Sequence, residues 1–337
     1  VVEEDSNGNW FVCSGAELPP LPESACEDNL SRLWLTRGLM IFCAIVALGT
    51  VTWNIPRSSI YLSVVKDTSP PVLFATNDRV DVKDVIVATI EHTIPERGVK
   101  VSAGGLGKVL DQMLREHPQC NLHLVHPMFE DVHYGVLDEY KKFEVFVDGK
   151  AHEVTVHTME SEVNGLRRIW YILEHEFFAR PKKAPYPPAM TKLRSLQYFS
   201  LWNQSVAFLI EDLKPDVYHC MDYHAALAPL YLKAESQIPM ILVLHNADYM
   251  GIIETDFIND RFWQTVPALR RLSLVFNLSQ RAIRRYCVFE GRFNMLKGGV
   301  TMIEETQRGR GVCAVSMGYA VELRRERTLF QGIPTIL

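Results

Sequence analysis

The stretch DVIVATIEHTIPERGVKVSAGGLGKVLDQML, residues 84 to 114, decides the fold. Asp84-Val-Ile-Val-Ala-Thr-Ile90 is an unbroken apolar run, the length and composition of a strand covered on both faces. Further along, Leu106, Val109, Leu110, Met113 and Leu114 recur at helical spacing. Between the two runs a loop passes Glu91, His92, Pro95 and Lys100 and reaches Gly104-Gly105-Leu106-Gly107-Lys108. Strand, glycine-rich turn and helix make the first unit of an α/β sheet. Glycines there let backbone N–H groups approach an anion at the positive end of the helix. The spacing is not G-x-G-x-x-G, and the competing reading is a plain structural turn.

The pattern continues outward. Leu122-His-Leu-Val125, Ile169-Trp-Tyr-Ile-Leu173, Val217-Tyr-His219 and Met240-Ile-Leu-Val-Leu244 read as further strands. Phe143–Val147 and Val154–Val156 flank Asp148-Gly149, a hairpin turn signal. A longer helix presents Leu196, Phe199, Asn203, Val206, Ile210 and Leu213 on one face. One Rossmann-like α/β domain therefore accounts for residues 72–337. Upstream, GLMIFCAIVALGTVTWNI runs from Gly38 to Ile55 without a charge, between Arg37 and Arg57, with Trp34 and Trp53 at interfacial positions. It reads as a transmembrane helix over 33–56, the competing reading being a buried core helix. Residues 1–32 form an acidic tail and 57–71 a linker.

Composition excludes other classes. With 47% hydrophobic and 22% charged residues the chain is an ordinary globular protein rather than a disordered or collagenous one. Residues 1 to 30 carry seven Asp and Glu and no Lys or Arg, so of the net charge of −5 the remainder holds +2. No basic face for nucleic acid follows from that. The seven cysteines include no C-x-x-C, and His219 and His224 are five apart, so no metal centre is expected.

Ligands of open parallel sheets bind beyond the carboxyl ends of the strands. Besides the glycine turn, two places qualify. Asp222-Tyr223-His224 follows the Val217 strand and opens a helix over Ala225–Leu232, with Asp222 either functional or merely its N-cap. His245-Asn246-Ala247-Asp248-Tyr249 leaves the Met240 strand, with His245 either functional or structural.

In this order, Gly-Gly-Leu-Gly, then Asp-Tyr-His-Ala-Ala-Leu-Ala-Pro-Leu-Tyr-Leu, then Leu-His-Asn-Ala-Asp-Tyr-Met-Gly, the chain resembles the N-terminal half of starch and glycogen synthase glycosyltransferases. It is more similar still to the synthase domain of cell-wall α-1,3-glucan synthases. The grounds are Tyr223, the Ala184-Pro-Tyr-Pro-Pro188 and Tyr198–Gln204 segments, and the upstream apolar run. The likeness extends over residues 70 to 325 and closes on Val315-Ser-Met-Gly-Tyr-Ala-Val-Glu322.

That resemblance implies a retaining, two-domain GT-B enzyme with a nucleotide-glucose donor, an α-glucan acceptor and no cofactor or metal. It also implies a second, donor-binding domain beyond Leu337, a plasma-membrane anchor in the lipid bilayer and a cytosolic synthase domain. It places Gly104, Gly105, Lys100 and Asn246 on the donor, Tyr223 and His224 on the sugar and acceptor side, and His245 and Asp222 at the catalytic centre. The family's Lys-x-Gly-Gly-Leu has Ser102 at its lysine position here, with Lys100 two residues earlier. A starch or glycogen synthase and a non-catalytic glucan-binding scaffold are the alternatives.

Overall fold

The computed structural model describes residues 2–4, 10–12 and 83–325, the last span without 117–118, 188–191, 234, 237, 246–250, 254–265, 290–291 and 309. The chain divides into two compact units, Val1–Tyr61 and Leu62–Leu337. In the first, Val2–Glu4 pairs antiparallel with Trp10–Val12. The expected span over 33–56 and the linker over 57–71 lie outside the described residues. Among the described residues no helix is long and apolar enough to cross a membrane.

The second unit is built on eight strands: β1 (Lys83–Ala88), β2 (Cys120–Pro127), β3 (Asp138–Val147), β4 (Lys150–Val163), β5 (Leu166–Glu174), β6 (Val217–Met221), β7 (Met240–Leu244) and β8 (Val312–Ala314). They lie in the order β8-β7-β6-β1-β2-β5-β4-β3. The six from β8 to β5 are parallel, and β4 and β3 extend the sheet as an antiparallel hairpin. The sheet is thus mixed and mostly parallel, as the apolar runs predict. Ile86, Val87 and Ala88 of β1 are wholly buried, the condition that excludes polar residues from a doubly covered strand.

The hairpin forms where Asp148-Gly149 predicts it. Both residues are left-handed, with φ of 54° and 73°, and a two-residue turn of that hand matches the twist of the flanking strands. Helix α1 (Leu106–Arg115) buries Leu106, Leu110 and Leu114, and helix α2 (Lys192–Leu213) buries Leu196, Phe199, Val206 and Ile210. Asn203 shares that buried face because its amide is fully engaged. It donates to the carbonyls of Phe199 at 2.8 Å and His224 at 2.9 Å, and accepts from the N–H of Leu227 at 2.9 Å.

One expectation is corrected. The segment Ala225–Leu232 is not an α-helix but two short 3-10 turns, Tyr223–Ala225 and Ala228–Tyr231. Pro229 has no N–H to give an α-helical bond, and Asn203 takes the N–H of Leu227 instead.

The strand order reverses at β1. From β1 the chain moves to β2 on one side, and after α2 it returns to β6 on the other. Registers align the ends: Ala88 lies opposite Val125 and Cys220, and Met221 opposite Val243. The segments leaving β1, β6 and β7 therefore emerge along one edge, at the switch point where such sheets open a crevice.

Candidate functional site

Asp222 is the first residue beyond β6, with φ 67° and ψ −171°. That region is nearly exclusive to glycine, and a non-glycine residue there costs about 1–3 kcal/mol. The bend turns the carboxylate back to accept from the N–H of Tyr223 at 2.8 Å and from the N–H of His245, while its own N–H donates to Val243 at 2.9 Å. Asp222 is thus an N-cap of the short turn in the bonding sense, held in a conformation that ordinary N-caps do not adopt. Burial pushes its carboxyl up to about 7, against the two N–H bonds, and the charge of Glu91 pushes the same way.

Around it stand imidazoles kept neutral by burial. The His224 Nε2 accepts from the N–H of Ile90 at 3.3 Å, so Nδ1 carries the proton, and that Nδ1 is buried without a partner among the described residues. Burial, helped by His245, lowers His224 to about 3. His245 begins beyond β7, half-buried, with its Nε2 also buried and unpartnered among the described residues. Desolvation lowers its pKa, opposed by the Glu91 charge. Tyr223 is held by a close approach of backbone to its ring: a Cβ on Gly251, whose φ is 64°, would lie 2.5 Å from the ring.

The third corner is the glycine turn. The sequence pattern assigns its N–H groups to a substrate anion, yet the structure gives them to Glu91. One oxygen of that carboxylate accepts from the N–H groups of Ala103 (3.1 Å), Gly104 (3.1 Å) and Gly107 (3.2 Å) and from the hydroxyl of Ser102 (3.2 Å). The other accepts from the hydroxyl of Tyr186 at 2.9 Å.

Asp222, His224, His245 and the glycine turn converge as the strand-end rule predicts. Lys100 is exposed on the strand Val99–Val101 between two buried valines, and alternation turns it away from the side they bury. Gly104 faces Glu91 through its N–H, whereas Gly105 is exposed with open space where a Cβ would stand. Asn246 lies outside the described residues. Glu91 and Tyr186 are members of the site that sequence reasoning misses. Glu91 stands just past β1, so the strand-end rule is signal enough for it. Tyr186 arrives from 95 residues away, in the Ala184-Pro-Tyr-Pro-Pro188 segment that carries the family likeness without saying what it touches.

One group among the described residues has metal-like spacing, His152, His175 and Glu176. The N–H of Phe177 donates to His175 Nδ1 at 3.0 Å, so Nε2 carries the proton and points at His152 Nδ1, 3.2 Å away. A protonated nitrogen has no lone pair to offer a cation. The edge built by Asp222, His224 and His245 instead combines two neutral imidazoles with a carboxyl pushed up to about 7, donors and acceptors suited to hydroxyl groups.

Residues 90–333 match the family model described as the starch synthase catalytic domain. The cell wall α-1,3-glucan synthase mok13 of Schizosaccharomyces pombe is 34% identical over 266 residues, which cover 78% of this chain and 11% of that protein. A glycogen synthase of Fusobacterium nucleatum is 24% identical over 69% of this chain and 47% of its own length. Among solved structures, the catalytic domain of starch synthase IV from Arabidopsis thaliana, bound to ADP and acarbose, is 19% identical. It covers 72% of this chain and 46% of that one, with a TM-score of 0.48. The chain spans about a tenth of the length of the first curated relatives it matches.

Proposed function

The chain belongs to the starch synthase catalytic-domain family, and from that premise we propose that it is the sugar- and acceptor-side domain of a retaining glucosyltransferase. The enzyme extends an α-glucan from a nucleotide-glucose donor. Similarity to several α-1,3-glucan synthases favours the α-1,3-glucan of a cell wall as the product. The observation that carries the reading is Asp222: a strained, buried carboxylate at the switch point, joined to the N–H of His245 and flanked by imidazole nitrogens unpartnered among the described residues.

The chemistry asks for such a lining. As the nucleotide leaves, negative charge grows on the phosphate and positive charge on the anomeric carbon. Preorganised dipoles stabilise that separation without having to reorient. His245, neutral and with its Nε2 unengaged by the described residues, can hold a hydroxyl of the transferring glucose. Asp222, poised near neutrality, can accept a hydroxyl proton or share one. Tyr223, half-buried beside Asp222, is the aromatic residue on the acceptor side.

The 337-residue chain is expected to bind α-gluco-oligosaccharides weakly and to transfer no glucose. Joined to a domain carrying the donor-binding Arg, Lys and Glu residues of the family, it is expected to move label from UDP-glucose or ADP-glucose into glucan. A joined, folded protein that transfers from neither donor overturns the reading and leaves the scaffold alternative.

A further inference from the structure

We infer that Glu91 is the positioning residue of the 102–107 loop, holding it from the inner side and so setting the face the loop turns to substrate. Its carboxylate gathers the hydroxyl of Ser102 and three backbone N–H groups on one oxygen and Tyr186 on the other. Only 3% of Glu91 is exposed, whereas Ala103, Gly104 and Gly105 outside it are all exposed. A substrate anion reaching the N–H groups of Ala103, Gly104 and Gly107 would have to displace a carboxylate with both oxygens bonded and the loop lying over it. Substrate must therefore meet the outer side, which Gly105 occupies. The glycines divide the work. Gly107 permits the close approach, since a Cβ there would stand 3.1 Å from Ser102 and from the carbonyl of Val101, while Gly105 has open space.

The same geometry gives Ser102 a role that its departure from the family pattern left open. Its hydroxyl lies within hydrogen-bond distance of both Glu91 (3.2 Å) and the carbonyl of Gly104 (2.9 Å), so residue 102 points inward to the anchor. What the loop meets rests on the glucosyltransferase reading; that Glu91 anchors it does not.

The test separates the two. Amide hydrogen exchange is measured on the 337-residue chain and on Glu91→Ala and Glu91→Gln, with calorimetric titration of UDP-glucose and ADP-glucose alongside. Glu91→Ala is expected to speed exchange over 102–107 by at least about tenfold while β6 and β7 keep their protection. Glu91→Gln, which retains one acceptor oxygen, is expected to bring the loop back to within about threefold. If Glu91→Ala does not fold, Glu91→Asp, one methylene shorter, is read in the same way. Unchanged loop exchange, or acceleration spread equally through β6 and β7, overturns the inference. Where the parent chain binds a nucleotide sugar, Glu91→Ala should lose at least about tenfold in affinity, and undiminished binding counts against it. A parent chain that binds neither sugar is consistent with donor binding by a second domain, and the exchange result alone then decides Glu91.

Discussion

Along the hairpin β3–β4, apart from a register shift between Glu139 and Lys141, the chain follows the local rules. Phe143, Val145 and Val147 point into the core and alternate with exposed residues, and Asp148-Gly149 supplies the turn. The charges meet opposite charges or water: Lys142 with Glu139 at 3.8 Å, Glu160 with Arg167 at 2.5 Å, and Lys141 with Asp212. At the carboxyl edge of β1, β6 and β7 those rules fail together. Glu91, Asp222 and His224 are polar and buried, Asp222 sits in glycine's conformation, and imidazole nitrogens lack partners among the described residues. Departures of this kind, gathered in one place, are what functional or strained sites show.

Acid should expose the difference most strongly. His126 and His219 are lowered to about 4 and His224 to about 3, in each case chiefly by burial. These groups are neutral in the folded chain, and the unfolded chain protonates them below about 6.5, so stability is lost as pH falls from there toward 4. Between pH 7 and pH 5 each of the three costs about 2 kcal/mol. Asp222 has the opposite sign, since the folded chain takes up its proton in that interval and regains about 2 kcal/mol. The net loss of about 4 kcal/mol is a large part of a domain's usual stability. Thermal melts from pH 8 to pH 4 should show a steep fall below pH 6, and a flat profile would refute the neutral state of these buried imidazoles, His224 at the edge among them.

Next in size is the effect on chemistry. In the joined enzyme His245→Ala should cost about 3–4 kcal/mol of barrier, a hundredfold or more in rate, with little change in melting temperature. Turnover falling only in step with stability would make His245 structural. Asp222→Asn should do the reverse, stabilising while it inactivates. Asn has the same shape and keeps an acceptor, so the backbone strain is unchanged, but it cannot ionise; near pH 7.5 it should gain about 4 kcal/mol and near pH 4 less than about 1 kcal/mol. Equal melting temperatures at pH 7.5 would remove the raised carboxyl. Smallest is the hairpin control: Lys142→Ala breaks an exposed pair and should change stability by less than about 0.5 kcal/mol and sugar binding not at all.

Much of this is legible in sequence because it rests on short-range pattern. The buried strands announce themselves as apolar runs, the hairpin as Asp-Gly, and the edge as the residues just past each strand. The Ala225–Leu232 segment reads as a helix and is not one, because Asn203, 22 or more residues earlier, takes the N–H that would continue it. The orientation of Lys100 is not legible either, because it is set by a small hairpin, His92–Ile94 with Val99–Val101, which turns it outward. The glycine turn reads as an open anion site because spacing alone does not say that the loop folds back over Glu91, the carboxylate just past β1. For Ala225–Leu232 a contact from another helix overrides the local signal, whereas for the glycine turn the override comes from Glu91, within the same stretch 84–114.

The direct test of the edge is where a sugar lands. A gluco-oligosaccharide carrying a photoreactive diazirine, activated on the folded chain and mapped by peptide mass spectrometry, should label residues 89–107, 221–224 or 245. Free oligosaccharide should suppress that labelling. Saturable label on the β3–β4 hairpin instead, or none that free sugar suppresses, would contradict a sugar site at the switch point.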